Sequence, residues 1–258
     1  MMQHMCVTGA TSGIGRGIAQ QAAAAKMGLT ITGLEAEADI APLIAALTEA
    51  GAAFVHYYQV DLSDGDVARQ MVSAAADKAG QLDILVNNAG IQHVAPVESF
   101  PVAQWDKVIA VNLSAAFHTT AIAVPLMRQA GFGRIINIAS VHGLVASVQK
   151  AAYVAAKHGI IGLTKTVALE IAEANMTCNA ICPGWVRTPL VEAQIEAKAQ
   201  ASGLTVEEQA KQLVTEKQPK PDFATPEQIG DMVLYLASDA AKMVNGASFT
   251  IDGGWSAQ

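Results

Sequence analysis

Tyr153 and Lys157 lie four residues apart in the run Tyr153-Val154-Ala155-Ala156-Lys157, and Ser140 stands thirteen residues before Tyr153 at the end of an apolar run. On a helix, positions i and i+4 share a face, so the Lys157 ammonium is expected near the Tyr153 hydroxyl. A free tyrosine, with a pKa of about 10, is a poor base at neutral pH. A neighbouring cation favours the phenolate, and a fall of roughly three units needs about 4 kcal/mol of differential stabilisation. A tyrosine tuned in this way trades protons with an alcohol or a ketone. Alone, the pair is a weak signal, because alanine-rich helices produce it by chance as a packed Tyr beside a surface Lys.

A second constellation lies near the start. Thr8-Gly9-Ala10-Thr11-Ser12-Gly13-Ile14-Gly15 follows an apolar run and opens a helical one. Glycines there let the backbone approach a pyrophosphate, whose charge is favoured by free N–H groups at a helix start. Cofactor choice is expected at the end of the next strand, where Thr32-Gly33-Leu34-Glu35 offers no Lys or Arg for a 2′-phosphate. NAD is therefore expected rather than NADP, whether or not Glu35, twenty residues after Gly15, touches the ribose. Asp61 can accept from an adenine amino group, and Asn87-Asn88-Ala89-Gly90 supplies small residues to lie along the cofactor.

These residues need a scaffold that brings strand ends together. Short apolar runs alternate with longer periodic ones: 5–7, 14–25, 29–32, 40–50, 54–60, 67–79, 84–86, 105–129, 134–138, 151–174, 177–181, 226–238 and 247–251. Strands flanked by helices of this length predict a single α/β domain, a doubly wound parallel sheet of Rossmann type with helices on both faces. Ligands in such folds bind beyond the carboxyl ends of the strands, where the winding reverses. Residues 187–221, rich in Glu, Gln and Lys and closing with Gln218-Pro219-Lys220-Pro221, break the alternation. They read as helical but poorly anchored to the sheet, and a substrate lid is expected there.

At 258 residues, 52% hydrophobic and 15% charged, the chain can bury one large core. A net charge of −7 and a pI near 5.3 oppose a broad surface for nucleic acid or anionic membrane, so an anionic substrate requires a local cation. Cys6, Cys178 and Cys182 are odd in number and lack metal-ligand spacing, so no metal site is expected; they read as buried thiols of a reducing cytoplasm. No basic leader precedes the first apolar run, so export is not expected. The most membrane-like stretch, 109–127, is interrupted by Asn112, Ser114, His118, Thr119 and Thr120 and reads as a helix buried against protein.

Thr8 to Gly15, Asn87 to Gly90, Asn112, Ser140, Tyr153, Lys157 and Pro183-Gly184 together resemble, in order and spacing, the short-chain dehydrogenase/reductase family, from Thr8 to the closing Asp252-Gly253-Gly254. The resemblance implies that Tyr153 is the acid/base, that Lys157 lowers its pKa and holds the nicotinamide ribose, that Ser140 polarises the substrate oxygen, and that Asn112 supports a water relay. It implies NAD contacts from Gly9, Thr11, Ser12, Gly13, Ile14, Gly15, Leu34, Asp61, Leu62, Asn88, Ala89, Gly90, Tyr153, Lys157, Pro183, Gly184, Val186 and Thr188. Residues 87–93, 134–144, 151–159 and 179–194 are similar to the branch that oxidises D-3-hydroxybutyrate to acetoacetate. In that branch positions matching Gln92, His142, Lys150 and Gln194 hold the substrate carboxylate. Trp185 is expected to wall the pocket, and Gln194 to arrive only when the lid closes. The family also implies a homotetramer, in keeping with the apolar stretches 105–129 and 151–174. Lys26 stands where the family usually has a glycine, so a slight shift in cofactor placement is expected. Two other readings use the same residues: a reductase for longer 3-oxoacyl or cyclic ketones, and a nucleotide-binding regulator without turnover.

Overall fold

The computed structural model describes residues 2–257, and of Leu190 the backbone alone. The strands are β1 His4–Val7, β2 Gly28–Gly33, β3 Phe54–Gln59, β4 Ile84–Asn87, β5 Gly133–Ile138, β6 Met176–Pro183 and β7 Ser248–Ile251. They form one parallel sheet in the order β3-β2-β1-β4-β5-β6-β7, each at or within a few residues of an apolar run read from the sequence. Every residue of β1, β4, β5 and β6 is buried, which is why these strands read as unbroken apolar runs instead of alternating ones. Strand β1 pairs with β2 on one side and β4 on the other, so the winding reverses there and opens a crevice above the carboxyl ends.

The helices are α1 Gly13–Ala24, α2 Glu37–Glu49, α3 Gly65–Ala79, α4 Val102–Ile109, α5 Ala115–Ala130, α6 Ala151–Glu170, α7 Pro189–Ser202, α8 Val206–Thr215 and α9 Pro226–Ala237. One apolar layer joins α1, α2 and α9 to the sheet through Ile18, Leu47 and Val233, and another joins α3, α5 and α6 through Val72, Met127 and Val167. The expected unbroken helix over 105–129 is instead α4 and α5 joined by a π turn at Ala110–Ser114. By length and composition the run 102–130 could cross a membrane. In the fold its inner face is tied to the core by Thr119, which donates to Asn87 Oδ1 at 2.6 Å, and by Thr120, which accepts from Asn87 Nδ2 at 3.2 Å.

Residues 187–221 fold as α7 and α8 around a small apolar cluster of Ile195, Ala210 and Leu213 with Trp185, Val191 and Phe223. Their base is better anchored than the sequence suggested. Ala224 N donates to Trp185 O at 2.9 Å, Arg187 N donates to Ala224 O at 3.1 Å, and the buried Gln218 accepts Trp185 N–H through Oε1 at 2.7 Å. After α1, Lys26 adopts a left-handed φ of 60°, the conformation a glycine takes without cost.

Candidate active site

Strand β5 ends at Ile138, and Ser140 starts a 3-10 turn, Val141–Gly143, by accepting His142 N–H at 3.1 Å. Helix α6 carries Tyr153 and Lys157 on the face turned to that strand end. Lys157 is buried, donates to Ile138 O at 2.7 Å, and its Nζ lies 5.6 Å from the centre of the Tyr153 ring. Burial lowers the Lys157 ammonium to about 8, with Cys182 opposing. Burial raises the Tyr153 phenol, and the Ser140 hydroxyl opposes the rise.

One end of the cavity is built around His142. Its Nε2 pairs with Ser147 Oγ at 2.7 Å and its Nδ1 lies 3.5 Å from Ser140 Oγ. Burial first, then Lys150, lowers its pKa to about 4, so the ring is neutral at physiological pH, with one nitrogen donating and the other accepting. Trp255 packs edge-on to His142 with ring centres 5.3 Å apart and lies 6.0 Å from Trp185. Lys150 Nζ sits 5.6 Å above the Trp185 ring and makes no ion pair among the described residues. Burial and then Lys198 lower its pKa, with Glu216 opposing. Gln92 and Gln194 line the same cavity of about 470 Å³. Gln194 thus reaches the cavity from α7 in this conformation.

The cavity continues along the strand ends to the start of α1. Gly9 there has φ of 62°, and a Cβ on it would lie 2.9 Å from the Ala89 Cα. Ser12 does not cap α1 with its side chain, so the first-turn N–H groups are left for a ligand anion. Glu35 Oε1 accepts from Thr11 Oγ1 at 3.0 Å at the end of β2. Asp61 accepts Ser63 N–H at 2.9 Å, a bond that, with the Ser63 side chain, holds its carboxyl below the ordinary value. This bare, anion-accepting backbone, continuous with the Ser140 and Tyr153 hydroxyls, fits a dinucleotide.

Of the residues to which the resemblance gives a catalytic, substrate or cofactor role, all but two line this one cavity. Gly15 stands behind it, where a Cβ would meet Gly9 O at 2.3 Å and Asn88 Nδ2 at 2.5 Å, so its task is close packing instead of cofactor contact. Asn112, turned inward by the π turn, accepts Ile91 N–H at 2.8 Å and donates to Ile91 O at 2.9 Å. It borders a separate void of about 10 Å³ that it shares with Lys157, room for about one water.

A family model described as Enoyl-(Acyl carrier protein) reductase matches residues 9–256. The chain belongs to the short-chain dehydrogenase/reductase family. Among its relatives, a D-beta-hydroxybutyrate dehydrogenase of Cupriavidus necator is 53% identical over 253 residues, covering 98% of this chain and 97% of that one. Another of that name from Rhizobium meliloti is 48% identical over 258 residues and the full length of both. Solved structures that resemble the fold include a levodione reductase, with TM-score 0.90, 33% identity and coverage of 99% and 98%. A variant actinorhodin polyketide ketoreductase with NADPH has TM-score 0.92 and 30% identity over 100% of this chain and 98% of that one.

Within this dehydrogenase/reductase scaffold, sequence reasoning missed Trp255 and Lys107, both of which line the cavity. Trp255 had a signal: it directly follows Gly253 and Gly254, whose φ values of 59° and 85° turn the chain back over the strand ends. Lys107 carried none, since helical spacing alone does not separate it from a solvated lysine.

Proposed function

We propose that this protein oxidises D-3-hydroxybutyrate reversibly to acetoacetate with NAD. The observation that carries the reading is Lys150, a cation without an ion pair among the described residues, placed beside the neutral His142 in a chain of net charge −7. It supplies the local charge that a small carboxylate requires. The two relatives named D-beta-hydroxybutyrate dehydrogenase support the same substrate.

NAD, when bound, would accept a hydride from C3 of the alcohol and lie along the Gly9–Gly13 backbone, Asp61 and the Asn88–Gly90 segment. NAD is favoured over NADP because the side chain at the end of β2 is the Glu35 carboxylate, which would accept from a ribose hydroxyl and repel a phosphate. Tyr153 takes the hydroxyl proton, assistance worth about 10² to 10⁴ in rate. Ser140 hydrogen-bonds the substrate oxygen, and Lys157 holds positive charge beside the phenol. Asn112 fixes the Ile91–Gln92 segment and, with Lys157, borders the void for one relay water. Lys150, His142, Gln92 and Gln194 hold the carboxylate, while Trp185 and Trp255 present an apolar wall to the methyl group and exclude water.

Residues 187–221 act as the lid, moving on the base pinned by Gln218 and Ala224. The exposed apolar side chains Val102, Trp105 and Phe117 of α4 and α5 and Leu169 of α6 supply the surface through which four copies associate. Three unpaired, buried cysteines support a reducing, cytoplasmic location.

The test is NADH absorbance with each enantiomer of 3-hydroxybutyrate and with neutral secondary alcohols. The D acid yields NADH and the L acid does not. Turnover of the neutral alcohols with neither acid oxidised replaces this reading with that of a ketone reductase, a class represented among the structural neighbours.

A further inference from the structure

Immediately before α6, two adjacent residues occupy places that local preference disfavours. Gln149 has φ of 64°, one of two non-glycine residues with positive φ among those described. Its side chain is exposed, so no side-chain packing holds the backbone in that state. Lys150 then takes the N-cap of α6 with φ of −122° and ψ of 34°, and its side chain does not cap the helix. An ammonium at a helix N-terminus faces the positive end of the dipole, where Ser, Thr, Asp or Asn is ordinarily favoured. Local violations of this kind persist where the surroundings fix them, and they gather at functional positions.

One contact that fixes this one is on the backbone. The Gln149 carbonyl accepts Ala95 N–H at 3.0 Å, tying the segment that leads into α6 to the segment that follows Gln92. Lys150 O meanwhile accepts Val154 N–H at 2.9 Å, starting the helix. Between these two bonds the left-handed residue reverses the chain, and the Lys150 side chain comes to lie over the Trp185 ring. Gln92 and Lys150 thus belong to two loops joined by one hydrogen bond, whereas Gln194 stands on α7.

We infer that Gln149 is a positioning residue for substrate recognition: its left-handed backbone, held through its carbonyl by Ala95, aims the Lys150 ammonium into the cavity in register with Gln92. The inference rests on the reading of Lys150 as the carboxylate-binding cation. Gln149 touches neither substrate nor cofactor, and its effect belongs to the KM for the acid.

A substitution series at position 149 in the full-length protein tests this. Gln149→Gly and Gln149→Asn accept positive φ and keep the KM for D-3-hydroxybutyrate within about twofold of the parent. Gln149→Val, whose branched side chain resists that conformation, raises this KM about tenfold or more, with kcat and the KM for NAD within about twofold. Should the Val variant fail to fold, Gln149→Ala carries the same prediction with a smaller rise. Lys150→Ala is measured beside them. Parental KM in the Val and Ala variants, with KM raised in Lys150→Ala, overturns the positioning role and leaves the acid-binding reading standing. A parallel rise in the KM for NAD assigns Gln149 to general integrity and overturns the inference as well. Parental KM in Lys150→Ala overturns the acid-binding reading itself.

Discussion

Burial acts on Tyr153 and Lys157 in opposite directions, raising the phenol and lowering the ammonium to about 8, so the protein's own groups favour the neutral forms of both. Additional positive charge beside the pair shifts the phenol toward phenolate, whereas the like charge disfavours the ammonium. Tyr153→Phe removes the proton acceptor and keeps the ring that Lys157 faces. It should lower kcat about 10² to 10⁴-fold while NAD binding, measured by fluorescence titration, stays at the parental affinity; parental turnover would sink the acid/base role. Lys150 gives a second prediction, read in KM. On the proposed reading the charged form binds the carboxylate, and it is lost as pH rises through a pKa lowered by burial and Lys198 below the ordinary lysine value. The KM for 3-hydroxybutyrate should therefore climb with rising pH, earlier than an ordinary lysine, with its pKa of about 10.4, allows. Lys150→Arg, protonated throughout, should abolish that climb, and a climb that survives the substitution assigns it to another group.

At the scale of elements, the turn after α1 shows a local sequence preference overridden at a small cost. Lys26 completes the turn into β2 by taking φ of 60°, the state that the glycine usual in the family accepts freely. The left-handed conformation costs an L-residue about 1–2 kcal/mol, part of which glycine returns through its greater unfolded-state entropy. Lys26→Gly should stabilise the fold by about 1 kcal/mol, raising Tm by about 2–4 °C in calorimetry. An unchanged or lowered Tm would show that the left-handed state is not strained there. Residues 187–221 follow the opposite logic. α7 and α8 own a small apolar cluster, but their position depends on the base, where Gln218 bonds Trp185 N and Asp222 O at 2.7 and 3.1 Å.

For the whole molecule, two buried histidines should make stability fall toward acid pH. His4 is fully buried, with Nδ1 at 2.6 Å from Gln81 O and Nε2 at 2.9 Å from Thr30 Oγ1, and burial lowers its pKa. His142 is lowered to about 4. In the unfolded chain both take up a proton near the ordinary value of 6.5, while the folded forms resist until lower pH. The unfolded state therefore binds more protons between 6.5 and the folded values, and stability falls as pH drops through that window. The slope is at most about 1.4 kcal/mol per pH unit for each histidine. Urea midpoints at pH 7.5, 6 and 5 should decline in that order, and His4→Gln should flatten the decline. A midpoint independent of pH would exclude both histidines as the cause.

The sequence alone determined the alternation of strands and helices, the glycine-rich turn, and the spacing of Ser140, Tyr153 and Lys157, because these follow from periodicity and backbone preference within a few residues. It also marked Lys150 and His142, since both lie within a short distance of motif positions along the chain. Tertiary structure decided what depends on approach between distant segments. The π turn swung Asn112 onto Ile91, and the two final glycines brought Trp255 onto His142. Gly15 became a packing contact because the Gly9 carbonyl and Asn88 amide close against it. The upward shift of Tyr153 had no local signal, because desolvation depends on how much protein surrounds a hydroxyl, which side-chain spacing along one helix does not encode.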